Sequence, residues 1–245
     1  MPKFFVPKSS IDKEALVAEV LGDDARHIAR SLRMAVGDEI TLSDGEGASY
    51  ACRLTKIRDE RCELEIVSTI ESKAEPSVPV TLFMAYPKSD KLETVIQKAT
   101  ELGAVAIIPF ESSRCIKKPS KDKAKEKRER LARIAKEAAK QCGRDRVPFI
   151  GEPISFAECI KQAKASELAL FCYEDEDATT LKAALSSARP ASISAVVGSE
   201  GGFSPEEARL AKEAGLVSVS LGARILRCET APDYVLAAIS YEFEM

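Results

Sequence analysis

The strongest constraint on the fold is a regular alternation that begins near residue 80. Five short runs are apolar apart from a few Ser and Thr residues, and segments whose apolar residues have helical spacing separate them. The runs are residues 80–85, 105–110, 168–172, 193–197 and 217–221. Strands of this kind are buried on both faces, and helices between them predict a parallel sheet. We therefore predict an α/β domain whose ligands bind beyond the carboxyl ends of its strands.

The predicted helices of this part have recognisable start signals. They cover residues 90–102, 121–142, 178–187, 205–214 and 233–243, and one more begins near residue 155. In a capping box, a polar side chain and a carboxylate three residues later bind each other's backbone N–H groups. Pairs with this spacing are Asp90 and Glu93, Ser155 and Glu158, and Ser204 and Glu207.

The first 71 residues follow a different pattern. Short β-rich pieces alternate with turns, the DGEG sequence at residues 44–47 indicates a hairpin, and residues 23–33 indicate one short helix. The β-rich pieces are residues 3–6, 15–21, 39–43, 49–57 and 61–69. Residues 71–79 are polar and contain two prolines, as a linker does. The sequence thus predicts a small, mostly antiparallel β-barrel domain at residues 1–71 and the α/β domain at residues 72–245.

Composition excludes several classes of protein. The 245 residues are 45% hydrophobic, which is enough for a substantial core. The seven cysteines form no C-x-x-C pair and there is one histidine, so we expect neither a disulfide framework nor a metal site. His27 is expected to pack within the barrel. No apolar run has the length of a signal peptide or a membrane span, which predicts a cytoplasmic protein.

The net charge of −3 conceals one basic region. Residues 117–146 contain 13 Lys and Arg against 5 Asp and Glu, a local net charge of +8. A solvated helix face explains such a run, and so does a surface that binds an anion such as a nucleic acid. The charge run alone leaves both interpretations open.

Two segments near the C-terminus indicate a binding site. VVGSEGGFSPEE, residues 196–207, places three glycines between a strand and a helix start, which favours a ligand lying close to bare backbone. It matches neither a P-loop, nor G-x-G-x-x-G, nor G-x-S-x-G. SLGARILRCETAP, residues 220–232, also follows a strand and carries Arg224, Arg227 and Glu229. With residues 171–174, these connections are expected to form a pocket at one edge of the sheet.

The order of these motifs resembles the RsmE-type ribosomal RNA uridine-N3 methyltransferases of the SPOUT superfamily. The resemblance covers the whole chain. It includes the opening MPKFFV, the segment from His27 through Leu32-Arg33 to Gly37-Asp38, and Lys88, Lys91 and Glu93. It continues with Glu101-Leu102-Gly103, residues 137–141, Arg144 and Pro148.

The resemblance implies a fold, a cofactor and an assembly. The first domain would be a PUA-like RNA-binding barrel, and the end of the α/β domain would be threaded into a trefoil knot. The chain would form a homodimer in which the partner completes each active site. S-adenosylmethionine would be held by residues 171–174, 198–202 and 221–231. The implied cofactor-binding residues are Phe171, Cys172, Tyr173, Glu174, Gly198, Glu200, Gly201, Gly202, Leu221, Gly222, Ile225, Leu226, Arg227 and Ala231.

The resemblance also implies methyl transfer to N3 of a uridine in 16S ribosomal RNA. N3 carries a proton, so the site must stabilise an anion or accept that proton. Arg227 is expected to stabilise the negative charge on the base, and Glu229 to accept the proton or to orient Arg227. A helix-terminus carboxylate explains Glu229 equally well. The expected RNA-binding residues are Lys3, Arg33, Lys88, Lys91, Arg114, Lys117, Lys118, Lys121 and Arg144.

Some positions depart from the family pattern, and other functions stay open. Ser199 replaces a common proline, Cys228 a hydroxyl or other small residue, and Lys3 an arginine, while residues 232–234 replace small apolar residues. One alternative is another SPOUT reaction, such as 2′-O-ribose or guanine-N1 methylation. A second is an RNA-binding assembly factor that transfers no methyl group. A third is a generic nucleotide-binding protein.

Overall fold

The computed structural model describes residues 1–88, 90–116, 124–174, 179–187 and 189–245, which form two units. The first unit consists of Met1–Glu75 and Ala139–Val147. The second consists of Pro76–Ala138 and Pro148–Met245. The chain thus returns to the first unit for nine residues in the middle of the second, and no shift in composition marks that return.

The first unit is built on a six-stranded sheet in the order β1-β4-β5-β6-β3-β2. Strand β1 pairs parallel with β4, and all other neighbours are antiparallel. The strands are β1 (Lys3–Phe5), β2 (Ile11–Asp12), β3 (Val17–Leu21), β4 (Glu39–Ser43), β5 (Ser49–Arg58) and β6 (Arg61–Ile70). Of these, only the two-residue β2 was not predicted.

Alternating side chains of this sheet form the core of the first unit. In β5, Cys52 and Leu54 are buried while Arg53 between them is exposed, as expected for strands with one solvated face. Helix α1 (Gly22–Arg26) and the π-helical turn His27–Ser31 contribute the buried Ala25 and Ile28. The His27 ring meets the edge of the Phe4 ring at a centroid distance of 6.2 Å, but the residue is exposed, so the prediction that it packs within the barrel was wrong.

The second unit contains a sheet in which every pairing between neighbouring strands is parallel. Its order is β10-β8-β7-β12-β11-β13, and the short β9 also pairs with β8. The strands are β7 (Val80–Ala85), β8 (Ala104–Glu111), β9 (Phe149–Ile150), β10 (Ile154–Ser155), β11 (Leu168–Cys172), β12 (Ile193–Val197) and β13 (Val217–Val219). All residues of β11 and β12 are buried, which confirms that apolar runs marked the strands.

Six helices of the described residues accompany this sheet. They are α2 (Lys91–Glu101), α3 (Ala124–Cys142), α4 (Phe156–Ala163), α5 (Leu181–Ser186), α6 (Pro205–Glu213) and α7 (Thr230–Glu244). Predicted helix residues 121–123 and 178 lie outside the described part of the chain. Helix α7 begins three residues before its predicted start.

Two of the three predicted capping interactions are present. Ser155 caps α4, and Ser204 and Glu207 form a complete capping box on α6. The third prediction was wrong, because the Asp90 side chain makes no cap and its backbone carbonyl accepts the Glu93 N–H instead. None of the described helices is long and apolar enough to cross a membrane.

An aromatic cluster anchors the carboxyl ends of the central strands. The rings of Phe171 and Phe203 lie 4.3 Å apart, and both contact Phe156. Phe171 belongs to β11 and Phe203 to the connection after β12, and both are almost fully buried. Because buried aromatic rings hold their neighbours in fixed positions, this cluster fixes the connection after β12 relative to the sheet.

Candidate functional site

Three neighbouring strands deliver their connections to one edge of the second unit. Strand β11 lies between β12 and β13, so the connections that follow these strands are adjacent, as predicted. A cavity of about 520 Å³ lies among them, a volume typical of small-molecule sites. We call residues 198–203 the glycine loop and residues 220–229 the arginine loop.

Most of the expected cofactor-binding residues line this cavity. They are Cys172, Tyr173, Glu174, Gly198, Glu200, Gly202, Leu221, Gly222, Ile225, Leu226 and Ala231. Three expected residues are not part of the lining: Phe171 is fully buried in the aromatic cluster, Gly201 faces Arg114, and Arg227 is exposed beside the cavity. Four further lining residues lie within the predicted cofactor-binding segments 198–202 and 221–231 without having been named individually: Ser199, Ala223, Arg224 and Cys228. Thr180, Val197 and Ser220 lie outside those segments and were not predicted.

The three loop glycines leave room for other parts of the protein. A Cβ atom on Gly198 would lie 3.2 Å from the Gly202 Cα, and one on Gly201 would lie 2.9 Å from the Arg114 Cβ. Gly202 has a φ of +61°, and a Cβ there would overlap the Glu174 carboxylate. The glycine pattern favoured a ligand lying close to this backbone. In the structure, the groups that require them are protein atoms that fold the loop tightly.

Glu207 ties the glycine loop to the neighbouring connection. Its side chain is only 5% exposed, and it accepts hydrogen bonds from Ser204 N, Ser113 N and Ser113 Oγ at 2.9, 2.7 and 2.8 Å. The capping box predicted the first of these bonds but not the two to Ser113. The next residue, Arg114, donates from Nη1 to the Gly201 carbonyl at 3.1 Å. The expected RNA-binding Arg114 therefore supports the loop while its side chain stays exposed.

Ser199 places a hydroxyl in the cavity wall without a protein partner. The residue is 7% exposed, and its Oγ has no hydrogen-bond partner among the described residues. A buried hydroxyl left unsatisfied costs about 1–3 kcal/mol, so such groups normally have a partner. Ser199 lines the cavity while its Oγ is itself buried, so the hydroxyl reaches a bound molecule only if the side chain turns toward the cavity.

Lys91, Glu200 and Glu229 form an ion-pair network at the rim of the cavity. The Lys91 Nζ lies 3.2 Å from Glu200 Oε1 and 3.1 Å from Glu229 Oε2. The Cys228 thiol donates to Glu229 Oε2 at 3.2 Å and lies 3.7 Å from the Lys91 Nζ. The sequence resemblance implied that Glu229 accepts the N3 proton or orients Arg227, and that Lys91 binds RNA. The structure instead pairs Glu229 with Lys91.

This network sets the ionisation of its members. Burial raises the pKa of Glu229, but the Cys228 thiol, the residue's own N–H and Lys91 outweigh it and hold the pKa at about 2. Burial and the adjacent Glu229 raise the pKa of Cys228 to about 12, so the thiol stays protonated and donates. The Glu229 carboxylate in turn raises the pKa of Lys91. A carboxylate with so low a pKa is a weak proton acceptor near neutral pH.

The two arginines of the arginine loop are exposed and unpaired. Arg224 lines the cavity and Arg227 lies just outside it, and neither guanidinium has an ion-pair or hydrogen-bond partner among the described residues. The backbone of Arg227 is nevertheless fixed, because its carbonyl accepts the N–H groups of Thr230 and Ala231 at 2.8 and 2.9 Å. The loop thus presents two free cations from an ordered backbone.

Two of the expected RNA-binding residues make their contacts within the first unit. Lys3 donates to the carbonyls of Gly143 and Arg144 at 2.8 and 3.0 Å and pairs with Asp145. The side chain of Arg144 is 2% exposed and pairs with Glu75 at 2.9 Å. We call these residues, Lys3, Glu75, Arg144 and Asp145, the basic clasp. They hold the segment Ala139–Val147 in the first unit, which corrects the expectation that Lys3 and Arg144 bind phosphates.

The remaining expected RNA-binding residues have mixed placements. Arg33 is exposed with a left-handed φ of +51°, and Lys88 is exposed while its backbone N–H donates to Glu200 at 3.2 Å. Lys117, Lys118 and Lys121 lie outside the described residues.

The described residues contain no cluster of three or more His, Cys, Asp or Glu side chains suited to a metal ion.

Comparison with known proteins assigns both units. Residues 74–240 match the family model described as an RNA methyltransferase domain, and residues 10–67 match that of an RNA methyltransferase PUA domain. This chain belongs to the RNA methyltransferase family. The match at residues 10–67 agrees with the predicted barrel, and the match at residues 74–240 spans all three connections around the cavity.

Individual relatives of this family extend the match over the full chain. The ribosomal RNA small subunit methyltransferase E of Bacillus subtilis is 35% identical, with 100% of this chain and 98% of the relative covered. Its namesake from Synechocystis is 36% identical over 87% of this chain and 69% of the relative. A crystal structure of ribosomal RNA small subunit methyltransferase E from Neisseria gonorrhoeae, bound to S-adenosyl methionine, is 31% identical. It covers 98% of this chain and 97% of its own, with a TM-score of 0.83.

Proposed function

We propose that this chain transfers the methyl group of S-adenosylmethionine to N3 of a uridine in small-subunit ribosomal RNA. The observation that carries the proposal is the cavity at the carboxyl edge of β11, β12 and β13, with the free guanidinium of Arg227 beside it. The relative from Neisseria gonorrhoeae with bound S-adenosyl methionine supports the choice of cofactor. The PUA match in the first unit supports RNA as the partner.

The residues around the cavity fit this cofactor. The carboxylates of Glu174 and Glu200 offer negative charge to its sulfonium and ammonium groups, and Arg224 offers a cation to its carboxylate. The unpaired hydroxyl of Ser199 supplies a further hydrogen-bonding group. Apolar surface for the adenine ring comes from Leu221, Ile225 and Leu226. When bound, S-adenosylmethionine supplies an electrophilic methyl group.

The chain's own contribution to the reaction is to stabilise the uracil in its reactive form. Uracil N3 is a poor nucleophile until its proton passes to solvent water, and the base then carries negative charge until N3 bonds to the methyl group and S-adenosylhomocysteine leaves. Arg227 stabilises that charge, since its guanidinium is exposed, unpaired and held on a fixed backbone. Glu229 keeps its charge and holds Lys91, because its pKa of about 2 suits it poorly to accept the N3 proton.

Several further features belong to the same proposal. We also propose a boundary of the RNA-binding domain near residue 71, a trefoil knot in the second unit, a homodimer and a cytoplasmic location, and the resemblance to the family supports these features. The exposed Tyr234 and Tyr241 lie two turns apart on α7, and the exposed Met245 follows its last residue, which supports a dimer contact on that helix. Arg33, Lys88 and Arg114, with Lys117, Lys118 and Lys121, are proposed to contact RNA phosphates.

A transfer assay tests the proposed function. The pure protein is incubated with methyl-labelled S-adenosylmethionine and small subunits or free ribosomal RNA that lack the modification, and the digested nucleosides are then identified. The proposal predicts N3-methyluridine as the labelled product. A labelled 2′-O-methyl nucleoside or 1-methylguanosine would replace the assigned reaction, and binding of cofactor and RNA without any labelled nucleoside would indicate a non-catalytic factor. Calorimetry that shows ATP binding more tightly than S-adenosylmethionine would contradict the choice of cofactor.

A further inference from the structure

Lys91 occupies a position from which one side chain reaches two loops of the site. It is the first residue of α2, at the carboxyl edge of β7, and β7 is the neighbour of β12 in the sheet. Its Nζ contacts Glu200 of the glycine loop at 3.2 Å and Glu229 of the arginine loop at 3.1 Å. No strand pairing connects these two loops directly, since β11 lies between β12 and β13.

The ion pairs of Lys91 are partly shielded from water and are supported by further hydrogen bonds. The three side chains are 32%, 25% and 26% exposed, so water screens them less than it screens an ordinary surface ion pair. Glu200 is also held by the Lys88 N–H at 3.2 Å, and Glu229 by the Cys228 thiol at 3.2 Å. Without the ammonium group between them, two like charges would face each other at the rim of the cavity.

We propose that Lys91 is a positioning residue for methyl transfer, which joins the glycine loop to the arginine loop and thereby sets the location of Arg227. This inference rests on the proposed function. Arg227 lies two residues before Glu229, and its carbonyl accepts the N–H groups at the start of α7. Because Lys91 holds Glu229, it holds that backbone, and the guanidinium of Arg227 depends on it.

The arrangement argues against Lys91 as an RNA ligand. Its single positive charge already faces two carboxylates, so the network has a net charge of −1 and does not attract phosphate. A phosphate contact would require Lys91 to leave both partners. A positioning role and a phosphate-binding role for Lys91 predict different salt dependences of RNA binding. Each phosphate contact that is lost reduces the steepness of the plot of log RNA-binding constant against log salt concentration by about 1.

The test compares Lys91→Met with a matched substitution on the same helix. Lys98 also extends from α2 to a carboxylate of α7, pairing with Asp233 at 3.1 Å. Neither Lys91 nor Lys98 lines the cavity, but Lys91 pairs with the lining residue Glu200, whereas Asp233 is not part of the lining. We measure kcat, KM for RNA, the calorimetric Kd for S-adenosylmethionine and the salt dependence of RNA binding. Lys91→Met is expected to lower kcat by about 100-fold, as misplacement of a catalytic group does. It should also weaken cofactor binding, whereas Lys98→Met should keep wild-type kcat and Kd.

Two further variants separate positioning from a general loss of structure. Lys91→Arg should recover most of the lost kcat, because a guanidinium also bridges two carboxylates. The double variant Lys91→Met with Glu229→Gln should lose no more cofactor affinity than Lys91→Met alone, since residues of one network are not additive. If Lys91→Met does not fold, Glu229→Gln removes the same ion pair and is expected to show the same fall in kcat.

These measurements separate a failure of the positioning role of Lys91 from a failure of the proposed methyl transfer. Full kcat and wild-type Kd in folded Lys91→Met, with methyl transfer by the wild type, would overturn the positioning role and leave the function standing. A variant that changed only RNA affinity and its salt slope would make Lys91 a phosphate ligand and overturn the inference as well. A wild-type protein that does not bind S-adenosylmethionine would remove the function on which the inference rests.

Discussion

The basic clasp of the first unit and the arginine loop of the second use cations in opposite ways. In the clasp, Arg144 is almost fully buried and pairs with Glu75, and Lys3 pairs with Asp145. In the loop, Arg224 and Arg227 are exposed, and neither has a partner among the described residues. The presence of a cation in the sequence therefore does not reveal its role. A cation that pairs with a carboxylate of the fold has a structural role, and a cation without a protein partner is available for function.

The physical reason is the cost of removing a charge from water. A buried guanidinium requires a carboxylate and hydrogen bonds, and its location then fixes the chain segments that supply them. An exposed guanidinium with no protein partner adds little to stability, so its value lies in what it can bind. The same distinction holds for hydroxyl groups. The buried Ser194 Oγ donates to the Ala163 carbonyl at 2.6 Å, whereas the buried Ser199 Oγ has no partner among the described residues.

The largest effect is expected in the clasp. Arg144→Met leaves the partly buried Glu75 without its ion pair, and breaking a buried pair costs about 3–5 kcal/mol in free energy of unfolding. Urea unfolding followed by circular dichroism measures this change. The control is Arg133→Met on an exposed position of α3, for which a change below about 0.5 kcal/mol is expected. Equal stability of the two variants would contradict the structural role of the clasp.

The second largest effect is expected in the arginine loop, and in activity instead of stability. Arg227→Ala removes the group proposed to stabilise the uracil anion, so kcat should fall by about 100- to 1,000-fold. The Kd for S-adenosylmethionine and the free energy of unfolding should stay near the wild-type values. Arg224→Ala provides the comparison, since Arg224 lines the cavity and its loss should raise the Kd. Wild-type turnover in Arg227→Ala would remove that residue from the mechanism.

A smaller effect is expected at the two buried serines, Ser199 and Ser194. Ser199→Ala should raise the Kd for S-adenosylmethionine by about 2- to 10-fold, the equivalent of one neutral hydrogen bond, without lowering stability. Ser194→Ala should do the reverse, because it removes a hydrogen bond that the fold itself makes. Calorimetry and urea unfolding of both variants measure the two quantities. An unchanged Kd in Ser199→Ala would show that this hydroxyl does not contact the cofactor.

The smallest effect is expected from pH. The pKa of Glu229 is lowered from its usual 4.5 to about 2, so its stabilising contribution is complete above the usual value and is lost only as the pH falls toward 2. Between about pH 5 and pH 9 its ionisation should not change, and the pH profiles of kcat for wild type and Glu229→Gln should have the same shape. An inflection near neutral pH that Glu229→Gln lacks would make Glu229 the proton acceptor.

The sequence predicted the helices and strands better than it predicted which distant residues contact each other. Apolar runs and amphipathic spacing located the strands and helices of the second unit, because burial on both faces leaves a strong local pattern. The glycine and arginine loops were placed at one edge for the same reason. The contact of Gly201 with Arg114, the link from Lys91 to Glu229 and the return of Ala139–Val147 to the first unit were not predicted. Each joins residues distant in sequence, and no periodicity records such a contact.

The central claim is that the glycine and arginine loops enclose the methyl donor. The most direct test is a crystal structure of the protein with S-adenosylmethionine. We expect the cofactor in the cavity between Gly202 and Leu226, with a polar atom within hydrogen-bond distance of Ser199 Oγ and its methyl group on the side of Arg227. A cofactor bound elsewhere on the chain, or a cavity occupied by an unrelated molecule when S-adenosylmethionine is present in excess, would contradict it.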